Sequence, residues 1–95
     1  MTRPVKIGAV AATKQRPLWR VAEGKRDAIC RTFRFADFTA AFAFMTRCAL
    51  AAEKLDHHPD WSNSWNTVRI AISSHAEGGV TDRCFQLITA IQKVL

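Results

Sequence analysis

The order of apolar and polar positions along the chain predicts two pairs of β-strands. Residues 18 to 22 alternate apolar and polar side chains, a loop containing a glycine follows, and residues 28 to 35 form the returning strand. After Pro59 the chain is extended again. A short strand is expected near residues 63 to 65, and a longer one over residues 67 to 74.

Each pair of strands is followed by a segment that predicts a helix. Asp37 is suited to cap a helix that runs to about residue 57, and Thr81 is suited to cap one over residues 82 to 94. Apolar residues recur along one face of the second helix, at Phe85, Ile88, Ile91 and Leu95. The order of two strands, a helix, two strands and a helix predicts an α+β fold, in which a four-stranded antiparallel sheet has helices packed on one face.

The first helix is apolar around nearly its whole circumference. One stripe is expected from Phe38, Ala41, Phe42, Met45 and Ala49, and further apolar surface from Ala40, Ala43, Phe44 and Leu50. Because a single stripe suffices for packing on one sheet, we expect a second copy of the chain to cover the rest. The sequence therefore predicts a homodimer or homotetramer formed through residues 38 to 56. The alternative is a monomer with a core helix rich in Phe and Ala.

Positive charge is concentrated in the first third of the chain. The net charge is +6, and nine of the 14 Lys and Arg residues lie within residues 1 to 34. Residues 1 to 17 are expected to form a basic segment that is poorly ordered or a short helix, before a folded domain over residues 18 to 95. An organelle-targeting segment has a similar composition, so that function stays open. No recognisable nucleic-acid-binding motif accompanies the charge, so nucleic acid is not an expected partner.

The cysteines and the hydropathy indicate the compartment. Cys30, Cys48 and Cys84 are far apart and form no CxxC pair, so neither a disulfide framework nor a structural zinc site is indicated. No segment could span a membrane. We therefore expect a cytoplasmic protein, with the nucleus as a further possible location.

Candidate chemistry lies in the segment EKLDHHPDW, residues 53 to 61. His57 and His58 are placed at the end of the long helix, because Pro59 disfavours helix at the residue before it. Carbonyl groups at a helix end and nearby acidic side chains favour imidazolium, so we expect this pair to titrate near neutral pH. His75 follows the last strand, so all three histidines of the chain are expected at the ends of elements.

Spacing alone leaves three interpretations of these histidines. A zinc or iron site would use ligand spacings such as HxxxH, and none is present. The histidines could instead only cap a helix and a strand. The third interpretation is general acid–base catalysis, in which two imidazoles hold and release a proton. The chain has no GxSxG nucleophile motif, no phosphate-binding glycine loop and no dinucleotide-binding motif that would indicate a class of substrate.

Together these motifs resemble a known family. EKLDHHPDWSNSW, then SSH at residues 73 to 75 and then GGVTD, is similar to the pterin-4a-carbinolamine dehydratases, and the resemblance runs from about Trp19 to the C-terminus. The matching positions are Glu53, His57, His58, Pro59, Trp65 and His75. The resemblance implies a lyase that converts 4a-hydroxytetrahydrobiopterin to quinonoid dihydrobiopterin without a metal or organic cofactor. Such an enzyme recycles tetrahydrobiopterin for aromatic amino-acid hydroxylases, which are then expected partners.

The resemblance also implies roles for single residues. His57 and His75 would form the acid–base pair, and His58 would bind substrate and orient the departing hydroxyl. Glu53 would steady the histidines by a hydrogen bond. The residues expected to line the pterin are His57, His58, Pro59, Ser74, His75, Ala76 and Glu77. Trp61 and Trp65 would be walls of the site or parts of the core.

The chain departs from the family pattern at two places. The family usually has an Asp where this chain has Cys84, and an acid stands at Asp82 instead, so a capping-box partner and any role of that Asp near the site are in doubt. Residues 1 to 17 contain two prolines and a glycine, so the N-terminal helix common in the family is expected to be short or absent.

The resemblance carries an alternative function as well. Animal relatives act as dimerisation cofactors for a homeodomain transcription factor. A non-catalytic interaction protein, with a transcription factor as its partner, is therefore the alternative to an enzyme.

Overall fold

The computed structural model describes residues 3 to 95, which form one antiparallel sheet of four strands and three α-helices. The elements are α1 Ala9–Gln15, β1 Arg20–Val21, β2 Ile29–Arg34, α2 Phe38–Leu55, β3 Asp60–Ser64, β4 Thr67–Ile72 and α3 Asp82–Val94, with a short 3₁₀ helix, His75–Glu77, between β4 and α3. The strands are ordered β1-β2-β4-β3. The predicted α+β fold is confirmed. None of the helices within residues 3 to 95 is long and apolar enough to cross a membrane.

Strand boundaries differ from the prediction at both edges of the sheet. β1 has only two residues, and β3 begins at Asp60, directly after Pro59 and three residues earlier than expected. In the centre of the sheet, Ile29 pairs with Ile72 and Phe33 pairs with Val68. These four side chains are buried on one face of the sheet, and this face forms the core with the helices.

α2 begins where the cap predicts, but it packs through a different stripe. Asp37 Oδ1 accepts a hydrogen bond from the Ala40 backbone N–H at 2.8 Å. The buried residues of the helix are Ala41, Phe44, Cys48 and Ala52. Of the predicted stripe, Ala41 is buried and Met45 packs against the core, whereas Phe38 and Phe42 are exposed. The ring of Phe44 enters the core instead, because it packs between those of Phe33 and Phe35, with centroids 5.0 and 4.9 Å away. This aromatic cluster fixes which side of an almost uniformly apolar helix faces the sheet.

The opposite side of α2 leaves large apolar side chains in solvent. Phe42 and Leu50 are 54% and 70% exposed, and the ring of Phe38 packs on that of Phe42 with centroids 5.6 Å apart. A single chain therefore does not cover the apolar circumference of this helix. Assembly through residues 38 to 56 stays a prediction.

The segment 1 to 17 contains helix α1. Ala9 and Ala12 are buried in the core, and the backbone N–H groups of Ile7 and Gly8 both donate to the carbonyl of Val80, at 2.9 and 3.0 Å. These contacts join the start of the described chain to the turn before α3. Residues 1 and 2 lie outside the described residues.

Asp27, in the loop between β1 and β2, links three distant parts of the chain. Its carboxylate accepts hydrogen bonds from the backbone N–H groups of Ala9 at 3.0 Å and Val80 at 2.9 Å. Its backbone carbonyl accepts a hydrogen bond from Ser73 Oγ at 2.7 Å. Gly79 lies so close that an added Cβ would stand 2.5 Å from Asp27 Oδ2. The absence of a side chain at Gly79 is therefore needed for this contact.

Asp27→Ala should lower the free energy of unfolding by about 3 kcal/mol, because two partly buried N–H groups lose a charged acceptor. Asp27→Asn retains one acceptor oxygen and should cost less. Urea denaturation of the three proteins measures the difference. Equal stability of Asp27→Ala and the wild type would contradict this role.

Light scattering tests the assembly predicted from α2. The wild type should scatter as a multiple of its 10.6 kDa mass, and Phe42→Glu should reduce that mass by placing a charge in the contact. Leu18→Glu is the matched control, since Leu18 is also exposed and apolar but lies outside α2. A wild type of 10.6 kDa at micromolar concentration would refute the prediction.

Candidate active site

A cavity of about 310 Å³ opens where the end of α2, the start of β3 and the residues after β4 meet. All three histidines of the chain line it. The wall consists of Asp56, His57, His58, Pro59, Asp60, Ser73, Ser74, His75, Ala76, Glu77 and Arg83. Segments distant in the sequence therefore bring their titratable side chains to one place.

The end of α2 sets the directions of the two adjacent histidines. The helix ends at Leu55, and Asp56 adopts a left-handed conformation with φ 51° and ψ 44°. Arg83 Nη2 donates to the carbonyls of Leu55 at 2.9 Å and Asp56 at 3.1 Å, which satisfies two carbonyl groups at the helix end. After this turn the side chain of His57 is buried and that of His58 is exposed.

His57 is the buried histidine of the site. Its Nε2 atom lies 3.3 Å from Cys84 Sγ. Burial lowers the pKa of His57, and the positive charge of Arg83 lowers it further. The ring is therefore neutral at pH 7. The expectation that the helix end favours imidazolium is wrong for this residue, because desolvation is the larger effect.

His58 points to the solvent side and pairs with Glu53. The distance from His58 Nε2 to Glu53 Oε1 is 2.8 Å, and both side chains are largely exposed. Glu53 itself is not in the wall of the cavity. Glu53 therefore acts on the site through its contact with His58.

His75 is held by two residues that the sequence did not indicate. Arg26 Nη1 lies 2.9 Å from His75 Nε2 and 3.1 Å from Asp60 Oδ2. A guanidinium group only donates, so Nε2 of His75 accepts this hydrogen bond and the ring proton is on Nδ1. Gly78 ends the 3₁₀ helix that carries His75, with a left-handed φ of 71°.

All seven residues expected to line the pterin are in the cavity wall, namely His57, His58, Pro59, Ser74, His75, Ala76 and Glu77. The two tryptophans are not. Trp61 packs against the core, and Trp65 is exposed in the turn between β3 and β4 with φ 50°. The wall also contains residues that were not expected there, namely Asp56, Asp60, Ser73 and Arg83.

Asp82 is not in the wall of the cavity. Its Oδ1 atom accepts a hydrogen bond from the Val5 backbone N–H at 3.0 Å. Thr81 is the N-cap of α3, as predicted, but its side chain makes no capping bond and lies 2.6 Å from Ser74 Oγ. Within residues 3 to 95, no group of three or more His, Cys, Asp or Glu side chains is arranged to hold a metal ion.

The lowered pKa of His57 predicts a dependence of stability on pH. The unfolded ring binds its proton near the ordinary value of 6.5, whereas the folded ring binds it only at lower pH. The free energy of unfolding is therefore fully retained above pH 6.5 and falls as the pH drops from there through the folded pKa.

His57→Gln should flatten this part of the profile, measured by urea denaturation at a series of pH values. The same substitution at exposed His58 is the control. An unchanged slope in His57→Gln would show that other groups cause the dependence.

Comparisons with known proteins agree with this architecture. A family model described as pterin 4 alpha carbinolamine dehydratase matches residues 5–94. A protein of Rhizorhabdus wittichii named "Putative pterin-4-alpha-carbinolamine dehydratase" is 55% identical over 76 residues, which cover 80% of this chain and 77% of that protein.

Two solved structures share the fold. A transcriptional coactivator/pterin dehydratase from Brucella melitensis matches with a TM-score of 0.82 and 38% identity, over 94% of this chain and 97% of the other. A pterin dehydratase-like protein, described as a RuBisCO assembly factor in the alpha-carboxysome, matches with a TM-score of 0.65 over 80% and 87% of the two chains. At 19% identity this second match shows the fold alone. Since the family model spans almost the whole chain and confirms the resemblance found in the sequence, the chain belongs to the pterin 4 alpha carbinolamine dehydratase family.

Proposed function

We propose that the chain is a lyase that dehydrates 4a-hydroxytetrahydrobiopterin to quinonoid dihydrobiopterin by histidine acid–base catalysis. The observation that carries this proposal is the convergence of all three histidines on one cavity of about 310 Å³. In the reaction the C4a–O bond and the N5–H bond break, a C4a=N5 double bond forms, and water leaves. The site must therefore donate one proton and accept one.

His57 is suited to accept the proton from N5. Burial lowers its pKa, so its ring is unprotonated and neutral at the pH at which cells work. It also lines the cavity, where a substrate can reach it. A neutral imidazole in an enclosed position is a good general base.

His75 is suited to donate a proton to the departing hydroxyl. In the neutral ring, the hydrogen bond from Arg26 to Nε2 leaves the proton on Nδ1. The ring acts as an acid only after it has taken a second proton at Nε2, because a neutral imidazole that lost its single proton would become an imidazolate. Asp60 Oδ2 lies 3.5 Å from Nε2, close enough to pair with this ring when it carries a second proton. His57 and His75 thus have different surroundings, as two groups with opposite tasks require.

His58 and Glu53 support the substrate rather than exchange its protons. The 2.8 Å contact between Glu53 Oε1 and His58 Nε2 restricts the ring of His58 at the solvent side of the cavity. A ring fixed in this way can hold the 4a-hydroxyl towards its proton donor. The backbone of Pro59 and of residues 74 to 77 completes the surface that faces the pterin.

The proposed substrate is the oxidised form of the pterin cofactor that aromatic amino-acid hydroxylases release, so these enzymes are its proposed source. The product, quinonoid dihydrobiopterin, would then be reduced to tetrahydrobiopterin. The proposed chemistry uses only the side chains of the chain and needs no further cofactor. The alternative, a non-catalytic interaction protein, draws its support from the exposed apolar side of α2 and from the Brucella melitensis relative described as a coactivator.

An activity assay separates the two functions. Enzymatically generated 4a-hydroxytetrahydropterin should decay faster with the wild type than in buffer, and His57→Ala and His75→Ala should each reduce the rate constant by roughly 10²-fold. Thr89→Ala, on the exposed side of α3, is the control and should behave as the wild type. If the wild type is no faster than buffer, the dehydratase proposal fails and the interaction function replaces it.

A further inference from the structure

The ring of His57 makes a contact that the reaction alone does not account for. Its Nε2 atom lies 3.3 Å from the Sγ atom of Cys84, which belongs to the first turn of α3. His57 is 8% exposed and Cys84 is 0% exposed. A ring nitrogen that is paired inside the protein cannot also contact a molecule in the cavity.

The other ring nitrogen, Nδ1, is the one that reaches the cavity. Among the contacts of residues 3 to 95, the hydrogen bond of the His57 ring is made through Nε2. In the same part of the chain, no buried side-chain nitrogen or oxygen lacks a hydrogen-bond partner. Nδ1 is therefore open to solvent, and the cavity that His57 lines provides that opening.

A buried row of polar groups holds Cys84 in its place. Cys84 Sγ lies 3.7 Å from Ser74 Oγ, and Ser74 Oγ lies 2.6 Å from Thr81 Oγ1. Hydrogen bonds can run along this row in one direction, from His57 Nε2–H to the sulfur, from the thiol to Ser74, and from Ser74 to Thr81. This direction leaves Nδ1 of His57 with a free lone pair.

A thiol and a carboxylate act differently on a neighbouring imidazole. Both can accept a hydrogen bond from a ring N–H, but a carboxylate also stabilises the imidazolium by its charge. This chain has Cys84 where its family resemblance leads us to expect an Asp. A protonated thiol orients the ring without adding negative charge.

We propose that Cys84 is a positioning residue for His57. The thiol holds the ring with its Nε2–H turned inward and its Nδ1 lone pair turned to the cavity, and it adds no charge that would keep a second proton on the ring. His57 then accepts the substrate proton at Nδ1. The role of Nδ1 as the proton acceptor rests on the proposed dehydration. The tautomer and the titration of the His57 ring are properties of the free protein and can be measured without substrate.

Nitrogen-resolved NMR of the free wild type should show the His57 proton on Nε2 above pH 6.5. Cys84→Asp should raise the pKa of His57, because the charge of the carboxylate stabilises the imidazolium. The acidic limb of the profile of kcat/KM against pH should move upward with it. Cys84→Ser retains an acceptor and should keep the tautomer, whereas Cys84→Ala should reduce kcat by roughly tenfold or more with little change in KM.

Cys48→Ala is the matched control. Cys48 is also buried, in α2, and burial raises the pKa of its thiol to about 11, but its side chain forms no hydrogen bond with a histidine within residues 3 to 95. Cys48→Ala should leave the His57 titration and the pH profile unchanged.

Three results would overturn the positioning role. They are a wild-type ring protonated on Nδ1, a Cys84→Asp ring that titrates as in the wild type, and equal kinetic effects of Cys84→Ala and Cys48→Ala. An inactive wild type whose His57 shows the expected tautomer and response to Cys84→Asp would refute the dehydratase proposal and support the orientation of the ring.

Discussion

The hydrogen bonds of Asp27 join three distant parts of the chain, one of which lines the histidine cavity. The carboxylate binds the start of α1 and the turn before α3, and the backbone carbonyl of the same residue binds Ser73, which stands in the cavity wall. Arg26, the residue before Asp27 in the chain, is thereby brought to His75. A chain of 95 residues can bury only a limited core, so a polar junction of this kind supplies order that apolar packing alone does not.

The three histidines show how one residue type acquires different tasks from its surroundings. His57 is turned into the protein beside a thiol, His58 faces solvent beside a carboxylate, and His75 accepts a hydrogen bond from a guanidinium. The left-handed conformation of Asp56 separates the first two, although they are adjacent in sequence. Backbone geometry at one residue therefore creates two unlike imidazoles from a His-His pair.

Local signals in the sequence predicted the order of the elements well. Asp37 and Thr81 are the N-cap residues of helices where expected, and the strands expected over residues 28 to 35 and 67 to 74 are β2 and β4. The packed side of α2 was not predictable, because apolar residues surround that helix and only contact with Phe33 and Phe35 distinguishes one side.

The candidate site was likewise predictable where it depends on local sequence and not where it depends on tertiary contacts. His57, His58 and His75 carry a family spacing that the sequence displays. Arg26 and Asp60 act on His75 only through tertiary contacts, which no local pattern records. The direction of the pKa shift of His57 depends on its burial, and burial is a property of the fold.

Gly78 and Gly79 look equivalent in the sequence, but they are glycines for unrelated reasons. Gly78 has open space around its α-carbon and a left-handed backbone angle, which glycine adopts without strain and asparagine tolerates. At Gly79 the obstacle is volume, since even a methyl group would displace the carboxylate of Asp27. One glycine of the pair is thus replaceable by a residue that accepts its dihedral angles, whereas a side chain at the other would push Asp27 away from its hydrogen-bond partners.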